Sequence, residues 1–337
     1  MSLFGNSVFS NDENTRGKTT LPNCEEFEDV PNDTISKIKF SNNNEFVGCC
    51  SWDGQVKFWK KTDTKKSVFN FDFNTPVFSF CWRNDDKKIF TADANCSVGM
   101  IDIETGNITD VGNHEKPVNE VFDLSRIHNN LVVSGSWDKT IIFWDIRQSS
   151  PVEILGLEAE VQTMDVKGDL MVAGLQDQKV LTYDLKEITS SFSATRTTLQ
   201  TPLRCISIFK EMNGYYLGSY GGRCRVEYFD KNNSFQFKCH RFQEMIYPVH
   251  AIAVHPVKGS FATVGGDNKV NFWCKNTRRR LYNPKAFENA VTSCDFSTDG
   301  ALLAFGIGDD WTKGHQYRNR LEQRTRMCLM TMQENQI

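Results

Sequence analysis

The chain alternates short apolar runs with clusters of turn residues, and one stretch sets the pattern. Residues 131–147 read LVVSGSWDKTIIFWDIR. LVVSGS and TIIFWDI each predict a strand, and SWDK between them continues neither. Asp138 suits the turn because its carboxylate accepts hydrogen bonds from nearby backbone N–H groups. Trp144 sits where a strand can bury it. The same hairpin recurs as FVGCCSWDGQVKFWK over 46–60, with Trp52, Asp53 and Trp59, and as FATVGGDNKVNFWC over 261–274, with Asp267 and Trp273. Weaker copies are VGMID (98–102), VLTYD (180–184) and VEYFD (226–230). Aligning Trp144 with Trp59, Ile101, Tyr183, Phe229 and Trp273 places successive copies 42, 43, 39, 46 and 44 residues apart. A seventh, degraded copy is GIGDDWTKGHQYR, ending near Tyr317 and Arg318.

A period of roughly 40–45 residues with a Trp-Asp signature predicts an all-β fold, a seven-bladed WD-repeat β-propeller. A length of 337 residues would otherwise suggest two domains, but seven blades fill it. A single blade cannot bury both its faces, so blades stack around a channel. Residues 1–24 read as a disordered tail and 25–320 as the propeller. Residues 321–337 read as a C-terminal segment in which RMCLM is a candidate closing strand before a frayed end. EEFEDVP (25–31) is the other candidate, a strand that would join the last blade and close the ring. A Ser/Thr-rich linker is expected over 188–202 and an excursion over 232–248. The blade-five turn reads as two residues longer than that of blade three, with Gly221 and Gly222 free to take positive φ.

Composition narrows the function. A net charge of −3 gives no bulk attraction to nucleic acid, so any such role needs a local patch. Eleven Cys with no CxxC pair fit buried thiols in a reducing compartment, nucleus or cytosol. No apolar run approaches the length of a membrane span. The chain lacks HExxH, Walker A, GxSxG and a complete GxGxxG, and its six His have no metal-ligand spacing. No enzyme, cofactor or metal is therefore expected. His114, Ser136, Asp138 and Trp144 read as a structural hydrogen-bonded chain within blade three.

A binding surface remains. Trp52 and Trp137 stand just before the turn Asp, where an indole either packs on a neighbouring loop or anchors a partner peptide. Arg223 follows two glycines, and is either solvated or a fork for a carboxylate. Phe237, Trp273, Lys275, Arg278 and Arg280 combine rings with cations. They form either a solvated charge run or a contact for single-stranded nucleic acid.

GSWDKTIIFWDIR, PLRCISIFK, SFQFKCHR, YPVHAIAVHPVKGSFATVGGDNKVNFW, DDWTKGHQY and the opening MSLFG resemble the WD-repeat messenger-RNA export factor family of the nuclear pore. The likeness covers about residues 25–320. A related family is the WD-repeat protein of the kinetochore checkpoint, which shares FKCHR and YPVHAI. The resemblance implies a non-enzymatic adaptor that docks on the GLEBS segment of a GLFG-repeat nucleoporin. It would be a monomeric propeller paired in a heterodimer, in the nucleus, at the nuclear pore and also in the cytoplasm. The alternative is a spindle-checkpoint adaptor binding GLEBS-like segments of checkpoint kinases. The resemblance puts Trp52, Trp137 and Arg223 against the GLEBS hairpin. It puts Phe237, Trp273, Lys275, Arg278 and Arg280 against single-stranded RNA. The chain departs from the family at Cys274, where Asp is usual, at Ile101 and Arg318, and in its C-terminal tail.

Overall fold

The computed structural model describes residues 24–148, 150–189, 192–282, 286–314 and 324–333. The tail expected over 1–24 lies outside them except for Cys24. The described strands form seven four-stranded antiparallel sheets and one two-stranded hairpin. The first strands of the sheets touch one another in cyclic order, so they wall a central channel and the ring is closed. This is the seven-bladed propeller that the period predicted.

Most residues of the outer strands are exposed or half-exposed, and that is why the sequence concealed these strands. Ser193–Arg196 lies inside the expected linker and Phe235–Lys238 inside the expected excursion. A strand whose far edge meets water needs no regular apolar alternation to hold its place.

The seventh sheet combines the two ends of the chain. Ala290–Phe296, Leu302–Gly308 and Arg326–Thr331 supply three strands, and Cys24–Glu26 supplies the fourth. Of the two candidates, the N-terminal segment is the one that closes the ring. RMCLM, however, belongs to the third strand of that blade and is not the closing strand. Met330, opposite Leu303, occupies the place of Trp144. The site expected at Tyr317 and Arg318 lies outside the described residues.

The register also corrects blade five. Gly218 faces Cys224 as Gly135 faces Ile141, so both turns have three residues. Glu227, not Phe229, stands at the Trp144 position, and Phe229 lies past the strand end, exposed. The apparent two-residue insertion came from matching the aromatic letter.

Apolar clusters between neighbouring blades hold the ring. One joins Phe122, Val133 and Phe143 of blade three to Met164, Ala173 and Tyr183 of blade four. Burying each of the Val, Phe and Met side chains contributes about 1.5–3 kcal/mol. Contact is tight enough at one point to require glycine. A Cβ on Gly112 would lie 2.2 Å from the Trp144 ring, so only glycine lets the outer strand of blade two rest on that indole.

Candidate functional site

Antiparallel alternation puts three kinds of segment on one face of the ring: the turns between second and third strands, the links between blades, and the starts of the first strands. Trp52 and Trp137 lie in such turns, in blades one and three. Phe78, the second residue of the Val77–Trp82 strand, lies between them. The ring centroids are 5.2 Å from Trp52 to Phe78 and 5.6 Å from Phe78 to Trp137. Trp52 is 43% exposed, and the other two rings are half-buried. Each turn is pinned through its backbone: Trp52 N–H donates to Thr34 O at 3.0 Å and Trp137 N–H to Pro117 O at 3.2 Å. The three rings form a row on the rim of a channel mouth that Arg204, Lys37 and Glu120 also line.

Tyr220 occupies the same turn position in blade five, its N–H donating to Pro202 O at 3.1 Å, and it is 44% exposed. The guanidinium of Arg204 lies 6.0 Å from its ring. The sequence reading missed Phe78, Tyr220 and Arg204. GSYGG beside GSWDK carried the signal for Tyr220; nothing local carried one for Phe78.

Arg223 opens the third strand of blade five on this face and is partly exposed. Among the described residues its guanidinium has no hydrogen bond or ion pair. Burial, and then the nearby Arg223 charge, lower the pKa of Arg241. Two guanidinium groups this close, one of them unpaired, make an anion-attracting sector.

The second predicted group divides. It lies on the outer edge between blades five and six. Phe237 is buried at 9% exposure, 4.6 Å from the Trp273 ring, inside an apolar cluster. Lys275 is buried at 6%, ion-paired to Glu211 and 4.3 Å from the centre of the Phe209 ring. Neither side chain can reach a base without leaving these partners, which corrects the expectation for both. Trp273 is half-buried. Its indole N–H donates to Thr263 Oγ1 at 2.9 Å, and Thr263 meets His240 Nε2 at 2.9 Å. His240 Nδ1 in turn meets Asp267 Oδ1 at 2.6 Å. Arg278 and Arg280 remain exposed, with guanidinium carbons 4.6 Å from the Phe235 ring and 5.9 Å from the Trp273 ring.

Blade three carries the matching chain, with one residue changed from expectation. Trp144 Nε1 donates to Ser134 Oγ at 2.7 Å, and Ser134 meets His114 Nε2 at 2.7 Å. His114 Nδ1 then meets Asp138 Oδ2 at 2.9 Å. Ser136 lies nearer the turn and donates instead to the carbonyls of Lys116 and Pro117. An indole only donates, so Ser134 can pass its own proton to Nε2, which leaves Nδ1–H for Asp138. Burial pushes the His114 pKa down, against the pull of Asp138, and so favours this neutral form. The histidine is structural.

Inside the channel, lysines of one first strand pair with carboxylates of others. Lys37 pairs with Glu120, and Lys39 with Asp295 at 3.1 Å. Burial alone would lower the Lys39 pKa, yet Asp295 and Asp165 raise it. Burial pushes the Cys50 and Cys205 thiols up to about 12, so both stay protonated. Among the described residues no group of His, Cys, Asp and Glu is arranged to hold a metal ion.

Fold and surface together define a WD-repeat propeller with an open aromatic and cationic face. The sequence model for the WD domain, G-beta repeat, matches residues 27–60 and 107–145. The chain is 31% identical over 329 residues to the poly(A)+ RNA export protein of Schizosaccharomyces pombe, covering 95% of this chain and 93% of the relative. It is 32% identical over 307 residues to Protein Rae1 of Drosophila melanogaster, covering 86% and 88%. It is 33% identical over 301 residues to the mitotic checkpoint protein bub3 of Dictyostelium discoideum, covering 85% and 89%. The chain belongs to the Rae1/Gle2 family of WD-repeat mRNA export factors. The solved WD40 repeats of RRP9 share the fold, with a TM-score of 0.80 at 16% identity, covering 92% of this chain and 98% of that one.

Proposed function

We propose that the chain is a non-enzymatic adaptor in mRNA export that docks at the nuclear pore, in a heterodimer, on the GLEBS segment of a GLFG-repeat nucleoporin. The observation that carries this is the pairing, on one face, of the open row Trp52–Phe78–Trp137 with Arg223, whose guanidinium is unpartnered among the described residues. Half-exposed aromatics on pinned turns are anchors ready to be covered. An unpaired guanidinium fits a carboxylate of the incoming segment. The nucleus, the pore and a shuttling cytoplasmic pool follow from that role. Arg223→Glu sets like charge against the GLEBS carboxylates and is expected to lower affinity more than a hundredfold with an unchanged melting curve. Calorimetry with a GLEBS peptide reads this, and unchanged binding rejects the proposal.

Single-stranded RNA would meet the outer edge through Arg278 and Arg280, with the exposed side of Trp273, and without Phe237 or Lys275. The rings beneath the two guanidinium groups support this part.

The similarity to bub3 favours a second reading, a spindle-checkpoint adaptor that binds GLEBS-like segments of checkpoint kinases. Imaging a fluorescent fusion separates the two: the nuclear rim in interphase supports export, and kinetochores in mitosis support the checkpoint.

A further inference from the structure

Between blades five and six the chain leaves the ring as a small hairpin, Arg241–Phe242 paired with Met245–Ile246. It belongs to a link between blades and so stands on the face that carries Trp52 and Arg223. Its apolar side chains point outward: Phe242 is 51% exposed, Met245 57% and Ile246 52%. Three such residues on one short hairpin make an apolar patch of a kind that marks an interaction site.

The hairpin is held firmly. The Arg241 guanidinium donates twice to Gly221 O, at 2.8 and 2.6 Å. Tyr247 N–H donates to His240 O at 3.1 Å, and Cys239 N–H to Gly222 O at 3.0 Å. Gly222 has φ +62°, and a Cβ there would lie 2.4 Å from His240 O, so the turn and the hairpin base are in direct contact. The turn being gripped is the one that presents Arg223.

We propose that this hairpin is the apolar half of a composite site whose polar half is Arg223. It takes a large aliphatic or aromatic residue of a partner segment in which a nearby residue is acidic. The inference deepens the docking reading above and rests on it. Charge commits the partner: Arg223, Arg241 and Arg204 gather in this sector, while Glu244 at the hairpin tip is the acid on the hairpin itself. Because the hairpin that carries the apolar patch is bonded to the turn that presents the cation, the acidic and apolar residues must be near neighbours in the partner sequence.

The test compares the wild type with a Phe242→Ser, Met245→Ser, Ile246→Ser triple variant. All three side chains are exposed, so the melting curve should be unchanged. A GLEBS peptide is titrated into each by calorimetry, and the triple variant is expected to bind at least tenfold more weakly. Binding within twofold of wild type overturns the hairpin proposal while leaving the Arg223 reading standing. A peptide array combining Glu with Phe, Leu or Gln at varied spacing probes the hairpin without GLEBS. Retention of Glu–Phe and Glu–Leu spots by the wild type, lost in the triple variant, supports the proposal even if GLEBS binds neither protein, which would sink the nucleoporin reading alone. Equal retention, or none by the wild type on either probe, overturns it. So does light scattering that reports a wild-type dimer abolished in the triple variant, since the hairpin would then contact a second copy of this chain.

Discussion

Trp137 and Trp273 stand only a few positions apart within their repeats, yet they do opposite work. Trp273 lies on a strand. Its indole N–H closes a chain through Thr263 and His240 to Asp267, and its ring packs on Phe237. Trp137 lies in a turn. Its backbone is pinned, its ring touches Phe78, and among the described residues its indole N–H has no partner. A tryptophan with its polar atom satisfied inside the sheet belongs to the framework. One held by its backbone alone is free to meet another molecule. The same contrast separates Lys275, enclosed by Glu211 and Phe209, from Arg223, which among the described residues has neither an ion pair nor a ring beneath it.

The comparison breaks if the two tryptophans respond alike. Trp273→Ala empties part of an apolar cluster and takes the indole donor from Thr263, leaving it only His240, and is expected to cost about 3 kcal/mol in denaturant unfolding. Trp137→Ala should stay within about 1 kcal/mol. A Trp52→Ala, Trp137→Ala double variant is expected to bind the GLEBS peptide roughly 10–100-fold more weakly with its melting temperature unchanged; full affinity would return both rings to the framework.

Acid sharpens the contrast next. Burial depresses the pKa values of His114, His250 and His255 below the usual imidazole value. The unfolded chain therefore takes up protons first. The stability these groups contribute is whole above the unfolded imidazole pKa, about 6.5, and is lost as pH falls through and below it. Asp138 and Asp310, lowered by hydrogen bonds that outweigh their burial, add a further loss at more acid pH. Melting temperature should fall between pH 7 and 5, and a flat profile would contradict the buried networks.

Smaller effects distinguish the cations. Lys275→Met keeps the stem over Phe209 but removes the ion pair. It should cost about 1 kcal/mol of stability and leave RNA affinity unchanged. An Arg278→Ala, Arg280→Ala variant should reduce the slope of log affinity against log salt by about 1.4 for single-stranded RNA. A slope that does not move removes that edge from RNA contact.

How far the site was readable follows from where its determinants lie. Trp52 and Trp137 sit in turns and Arg223 opens the strand after one, so consecutive letters were enough to propose all three. Phe78 and Tyr220 complete the aromatic surface, but Phe78 reaches it only because blade two stands between blades one and three. Phe237 and Lys275 looked available because a sequence lists rings and charges without their neighbours. Glu211, which captures Lys275, is sixty-four residues away in the chain. The misplaced Ser136 and Phe229 share a cause: letters were matched where strand register decides.

The repeat period and the Trp-Asp turns were enough to determine a ring of seven sheets, because a blade that cannot bury its own faces must stack on copies of itself. Only the tertiary structure decided which strand closes that ring and which of its rings and cations stay uncovered. Closure joins the chain's two ends, and burial depends on neighbours a whole blade or more away, so neither is written in any local run of residues.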